Sequence, residues 1–148
     1  MRKAGRRVVA ALLCAAALAV SVAAPAYAYP IYIGDYLWDS YIYKVPEGFE
    51  SRRWEDVSYS EILFNGCGGG SSVTVQMRMD VNNAPDKGYD KKKFTACYST
   101  LGKWSQGEWN DLPDTTDNSS KYYFKITDIG ASDDVSVTKV LVDDTAAD

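Results

Sequence analysis

Val73, Val75, Met77 and Met79 alternate with Thr74, Gln76, Arg78 and Asp80, and this strict period of two constrains the chain more than any other feature. Successive side chains of a strand point to opposite faces, so such a run buries one face and wets the other. Tyr122, Phe124 and Ile126 alternate with Tyr123, Lys125 and Thr127 in the same way, and Phe94, Ala96 and Tyr98 do so with Thr95 and Cys97. Ile62 to Phe64 and Arg52 to Tyr59 read as further strands. Near the end Val135 and Val137 hold one parity while Val140 and Val142 hold the other, which predicts a bulge at Thr138-Lys139. Turn-formers punctuate these runs: Asn65-Gly66 with Gly68-Gly69-Gly70, Asn82 to Gly88, Leu112-Pro113-Asp114, and Gly130 to Asp134. No window carries an i, i+3, i+4, i+7 apolar stripe. The pattern predicts an all-β fold, a small antiparallel β-sandwich or barrel of roughly six or seven strands.

The two ends of the chain differ from this pattern. Arg2, Lys3, Arg6 and Arg7 precede an uncharged apolar run from Val8 to Val20, and Ala26-Tyr27-Ala28 supplies small residues at −3 and −1. That order predicts a secretory signal peptide over residues 1–28, cut after Ala28. Ser21 and Pro25 interrupt the run before the roughly 20 apolar residues that a membrane span needs, so no membrane anchor is expected. Residues 29–45 are crowded with aromatic and aliphatic side chains and end at Pro46-Glu47-Gly48. They read either as an N-terminal docking arm or as the first strands, and the break at Pro46 favours an arm that could be removed without unfolding the rest. Residues 46–148 then form a single β domain with an acidic C-terminal end.

Charge and cysteine content narrow the function. The chain carries a net −4, and loss of the four basic residues of the signal, with no acidic ones, leaves −8. Nucleic acid is therefore an improbable partner, because counterion release could not drive its binding. Cys67 and Cys97 survive export into a compartment that permits disulfides, and one bridge closing a loop of about 30 residues is the expected outcome.

The chain contains no histidine. This removes the usual neutral-pH base, the Ser-His and Cys-His nucleophile arrangements and the commonest transition-metal ligand. Glu55, Asp56, Glu108 and Asp111, near Trp54 and Trp109, are the carboxylates that glycoside hydrolysis would need, but their spacing does not bring any two together, and solvated surface is the reading preferred. Asp80, Asn82, Asn83 and Asp86 fail the calcium-loop pattern because Ala84 and Pro85 occupy its fifth and sixth places. Neither catalysis nor a metal or other cofactor is expected. Gly68-Gly69-Gly70-Ser71 reads as a hairpin loop. Lys91-Lys92-Lys93 reads as a solvated strand start that could meet an acidic partner. Trp104 and Trp109 lie in turn-rich sequence, where exposed indoles could stack on a sugar.

The aromatic lead-in from Tyr29 to Val45, the Cys67 and Cys97 pair and the strand Lys121-Tyr122-Tyr123-Phe124-Lys125-Ile126 together resemble the small secreted β-proteins of filamentous bacteria. In particular the chain is similar to the adaptor subunits of umbrella-shaped antibacterial toxin particles. The resemblance implies a non-enzymatic bridge between a repeat-containing toxin polypeptide and a lectin-like subunit. The residues themselves give a compatible expectation: a secreted protein-binding module whose contacts come from Ile31, Tyr32, Ile33, Tyr36, Leu37, Trp38, Tyr41 and Tyr43. Its alternatives are a carbohydrate-binding module, with a glycan as partner, and a protease inhibitor presenting the loop Gly66 to Ser72.

Overall fold

The structure, a computed structural model, describes residues 36–144. Residues 1–35, which include the expected signal peptide and Ile31, Tyr32 and Ile33, and residues 145–148 lie outside the described residues. The described residues form seven strands: β1 Trp38–Pro46, β2 Ser60–Gly68, β3 Ser72–Val81, β4 Lys87–Phe94, β5 Trp104–Trp109, β6 Ser120–Gly130 and β7 Asp134–Asp143. They form two antiparallel sheets, one ordered β1-β7-β2-β5 and the other β4-β3-β6. This is the all-β sandwich that the alternation predicts.

The inward residues of the two sheets meet in one core. Ile62 and Phe64 of β2 and Val135, Val137, Val140 and Val142 of β7 face Val73, Val75 and Met77 of β3 and Tyr122, Phe124 and Ile126 of β6. Phe64 lies at its centre, edge-on to Phe94 at 5.1 Å and to Phe124 at 5.7 Å between ring centroids. Such pairs add to the roughly 2 to 3 kcal/mol that burying a phenyl ring contributes.

The parity slip in β7 falls where its sequence changes phase. Against β1, Ser40 opposes Val140 but Ile42 opposes Val137, which leaves Thr138-Lys139 with one residue too many, the bulge expected there. The neighbouring β2 keeps its register with β7 through this stretch, from Asn65 opposite Lys139 to Cys67 opposite Val137. Gly66 takes φ +64°, and a Cβ there would sit 2.7 Å from Thr138 Oγ1, so no other residue fits without displacing the strand beside it.

Four sequence expectations are corrected. The strand through Phe94, Ala96 and Tyr98 stops at Phe94, and Ala96–Tyr98 is a short 3-10 turn; its buried member is Cys97, whose N–H is donated to Ser105 Oγ at 2.9 Å. Arg52 to Tyr59 is not a strand but an irregular segment bridged to β6 at Glu50–Lys125 and Trp54–Tyr122. Backbone bonds from Gly48, Ser51 and Trp54 to the carbonyls of Ile126, Phe124 and Tyr122 cover the free edge of β6, an edge that would otherwise invite pairing with another chain. Gly68 to Ser71 is not a hairpin loop, since β2 and β3 belong to different sheets and the segment crosses between them. Finally, residues 38–45 are not a detachable arm. Trp38 to Pro46 pair along β7 from Val142 to Asp134, and Ile42 is 6% exposed.

The Cys67–Cys97 disulfide is formed, with a Cα–Cα distance of 5.1 Å. It ties the end of β2 to the 3-10 turn on the connection that runs from β4 of one sheet to β5 of the other.

Candidate functional site

With β6 covered, the outer strands left are β1, β5 and β4. β1 is the outer strand of the four-stranded sheet and has β7 as its strand partner on one side. Its inward residues Trp38, Ile42 and Val45 pack on the core. Trp38 stacks against Phe124 at 6.3 Å and meets Trp54 edge-on at 6.1 Å, with the Arg52 guanidinium 4.1 Å from its ring centre. Trp38, expected from sequence as a contact residue, is thus half-buried with its ring packed on the core. Tyr41 and Tyr43, which alternate with Ile42, are 72% and 70% exposed, and Leu37 just before the strand is 43% exposed. Lys44 adopts φ +48° in the second of two bulges and holds its ammonium 5.8 Å from the Tyr43 ring centre.

The opposite side of the sandwich is bounded by β5 of one sheet and β4 of the other. Between them runs a groove of about 550 Å³ lined by Gly88, Tyr89, Asp90, Lys92, Glu108, Trp109, Asn110 and Leu112. Trp109 is 4% exposed and donates its Nε1 proton to the Asp90 carbonyl at 2.8 Å. It therefore closes the gap between sheets and offers no open face for a sugar. Trp104 opposes Asn65 in the β2–β5 register and is half-buried.

Of the four carboxylates singled out from sequence, three have structural partners or positions. Glu55 pairs with Lys121 at 3.3 Å. Asp111 occupies a turn with φ +58°. Asp56 is 2% exposed, and its carboxylate accepts bonds from the Ser60 hydroxyl and the N–H groups of Ser58 and Tyr59. Burial raises its pKa against the opposing pull of these donors. Ser60 Oγ also accepts from Trp54 Nε1 at 3.1 Å, so Asp56 organises the turn that presents Trp54 to the core. Glu108 instead meets a residue that sequence reasoning missed. The register places Glu61 directly opposite Glu108 on one side and Asp143 on the other. Burial, then repulsion from Glu108 and Asp143, pushes the Glu61 carboxyl up to about 7, opposed by a hydrogen bond from Gln106. Tyr36, one of the candidate contact residues, sits near the same acids and its pKa is raised by burial, Glu61 and Asp143.

What this row can do is hold a proton near neutral pH. A carboxyl raised in the folded state from 4.5 stabilises the fold fully below that value, and the contribution is lost as pH rises through about 7. Because Glu61 is only half-buried, solvent screening reduces the effect to the order of 1 kcal/mol. Urea unfolding at pH 5 and pH 8 should show the protein more stable at the lower pH by about that amount, and Glu61→Gln should flatten the difference. A variant that keeps the full pH dependence would assign it elsewhere.

Among the described residues no group of three or more His, Cys, Asp or Glu side chains is placed to hold a metal ion. Asp80 is paired with Arg53 at 3.1 Å and Asp86 accepts the Tyr123 hydroxyl, so these acids do not converge on a common centre. The crossing loop after Gly66 is tied down as well: Ser71 N–H bonds the Gly130 carbonyl and the Tyr98 hydroxyl bonds that of Gly69.

No protein family, curated protein or solved structure matches this chain. The open edges themselves are what remain to be explained. No helix among the described residues is long and apolar enough to cross a membrane.

Proposed function

We propose that the protein is a secreted, non-enzymatic protein-binding module that docks a partner along the edge of β1. The observation that carries this reading is the contrast within one strand: Ile42 is buried while its neighbours Tyr41 and Tyr43 stand 72% and 70% exposed. An inner face locked to the core gives a rigid edge, and two outward tyrosines give amphipathic contact area of the kind enriched at binding hot spots. A sheet edge adds unpaired backbone groups that an extended segment can match. The disulfide agrees with an oxidising compartment. Under the resemblance to toxin-particle adaptors, the partners are a repeat-containing toxin polypeptide and a lectin-like subunit.

The test begins with affinity purification from culture medium and mass spectrometry of what co-elutes, followed by affinity measurement with the purified partner. Tyr41→Ala/Tyr43→Ala should weaken binding by about 2 kcal/mol or more, roughly thirtyfold, and leave the melting temperature unchanged. Trp38→Ala, by contrast, should lower the melting temperature. A tyrosine double variant that binds as tightly as the parent would remove β1 from the interface.

A further inference from the structure

We infer that β4 forms a second docking edge, on the side of the sandwich away from β1, and that its occupant is an extended acidic segment of a partner protein. The inference goes beyond the β1 reading and does not depend on it. It starts from a local excess of cation in an acidic chain. Lys87, Lys91, Lys92 and Lys93 lie on one strand of a protein with net charge −4.

Elsewhere the basic residues are mostly engaged. Arg53, Lys121, Lys125 and Lys139 pair with carboxylates, Arg52 stacks on Trp38 and Arg78 donates to the Asp86 carbonyl. The four lysines of β4 form no salt bridge among the described residues. The remaining two without one, Lys44 and Lys103, are isolated from each other in sequence.

The strand register distributes these charges over both faces. Lys91 opposes Gln76 and Lys93 opposes Thr74, on the outward parity of β3, whereas Lys92 opposes the buried Val75. Lys92 accordingly turns to the groove, its ammonium 5.9 Å from the Trp109 ring centre, and Lys87 lies 5.0 Å from that of Tyr89. An extended chain laid along β4 meets cations above and below the strand, with half-buried Tyr89 beside it. Asp90 and Glu108 are the opposing charges of the groove, and they select where along the segment an acid is tolerated.

β4 is an outer strand of its sheet, so alternate backbone groups face away from β3; the Asp90 carbonyl is already taken by the Trp109 indole, which leaves the stretch around Lys91 to Lys93 as the pairing edge. An extended polypeptide matches the spacing of a strand's backbone groups and a polysaccharide does not. Lysines on an edge also discourage pairing with an arbitrary strand. Here they convert the edge from a general pairing surface into one selective for acid.

Position in the sandwich gives the inference its interest. β1 and β5 are the two ends of the four-stranded sheet, and β4 borders β5 across the groove. The two docking edges therefore point away from each other, as a bridging protein requires.

The probe is a fluorescently labelled poly-glutamate peptide, titrated with the purified protein and followed by anisotropy at low and high salt. Binding should appear at low salt and fade as salt rises. Lys91→Glu/Lys93→Glu should weaken it at least about tenfold, while Lys91→Arg/Lys93→Arg should retain it. Lys103→Glu/Lys121→Glu, which makes the same change in net charge away from both edges at the cost of one exposed pair, should bind as the parent does. Equal losses in the two Glu variants would show a diffuse charge effect and overturn the site. Binding of a sulfated polysaccharide without binding of the peptide would overturn the occupant. Binding of neither would mean that the lysines only guard the edge. Tyr41→Ala/Tyr43→Ala should leave peptide binding intact, so failure of the β1 reading and failure of this one are separately visible.

Discussion

A chain shortened to begin at residue 47 is expected not to fold. The truncation removes Trp38, Ile42 and Val45 from the core and strips β7 of the strand that pairs along it from Asp134 to Val142. At about 1.5 to 3 kcal/mol for a fully buried side chain such as Ile42, and less for half-buried Trp38 and Val45, the side chains alone lose on the order of 3 to 6 kcal/mol, before the ladder's hydrogen bonds. Together these losses are comparable with the whole stability of a small domain, roughly 5 to 15 kcal/mol. Circular dichroism of the truncated protein should show no cooperative melt. A soluble product that keeps its β signal and melts sharply would return residues 38–45 to the role of a detachable arm.

Replacing both Cys67 and Cys97 by alanine is expected to cost roughly 3 to 4 kcal/mol, the entropy that a bridge over about 30 residues removes from the unfolded chain. The effect should be global, because the bridge fastens β2 to the connection by which the chain crosses from one sheet to the other. Denaturant titration of the double variant measures it directly. A midpoint unchanged from the parent protein would show that the core alone fixes how the sheets sit.

The elements that were legible in the sequence are those with one buried face and an unbroken backbone ladder. β3 and β6 qualify, and their alternation translates directly into Val73, Val75 and Met77 against Tyr122, Phe124 and Ile126. The phase change in β7 was readable for the same reason. β1 was misread because exposed Ser40 interrupts the inward parity between Trp38 and Ile42, and the bulge at Tyr43-Lys44 sets Val45 three positions after Ile42, which breaks the period of two. β5 was hidden by Gly107, which suggests a turn. In the structure that glycine is needed for closeness, since a Cβ there would lie 2.9 Å from the rings of Phe94 and Trp109. Arg52 to Tyr59 misled in the opposite direction, because Trp54 is buried by an irregular chain whose backbone bonds run to β6 and not along a ladder.

For the candidate sites the division is similar. Tyr41, Tyr43 and the lysines of β4 stand out by type, but which of the tyrosines face solvent depends on bulges that composition does not reveal. The proximity of Glu61, Glu108 and Asp143 was invisible, because it is created by pairing three strands far apart in the chain.

The pairing of the first strand with the last has a mechanical consequence. Trp38 lies opposite Val142 in antiparallel register, so the two ends of the folded domain leave from the same end of the same strand pair. Antiparallel hydrogen bonds run across the strands, and a pull applied through the chain ends would break them one after another, from Trp38 toward Pro46. A pull applied across the sandwich, between β1 and β4, would not open that pair from its end and would meet the packed core and the covalent link from Cys67 to Cys97. The domain is built to carry tension through its sides and to yield it through its ends.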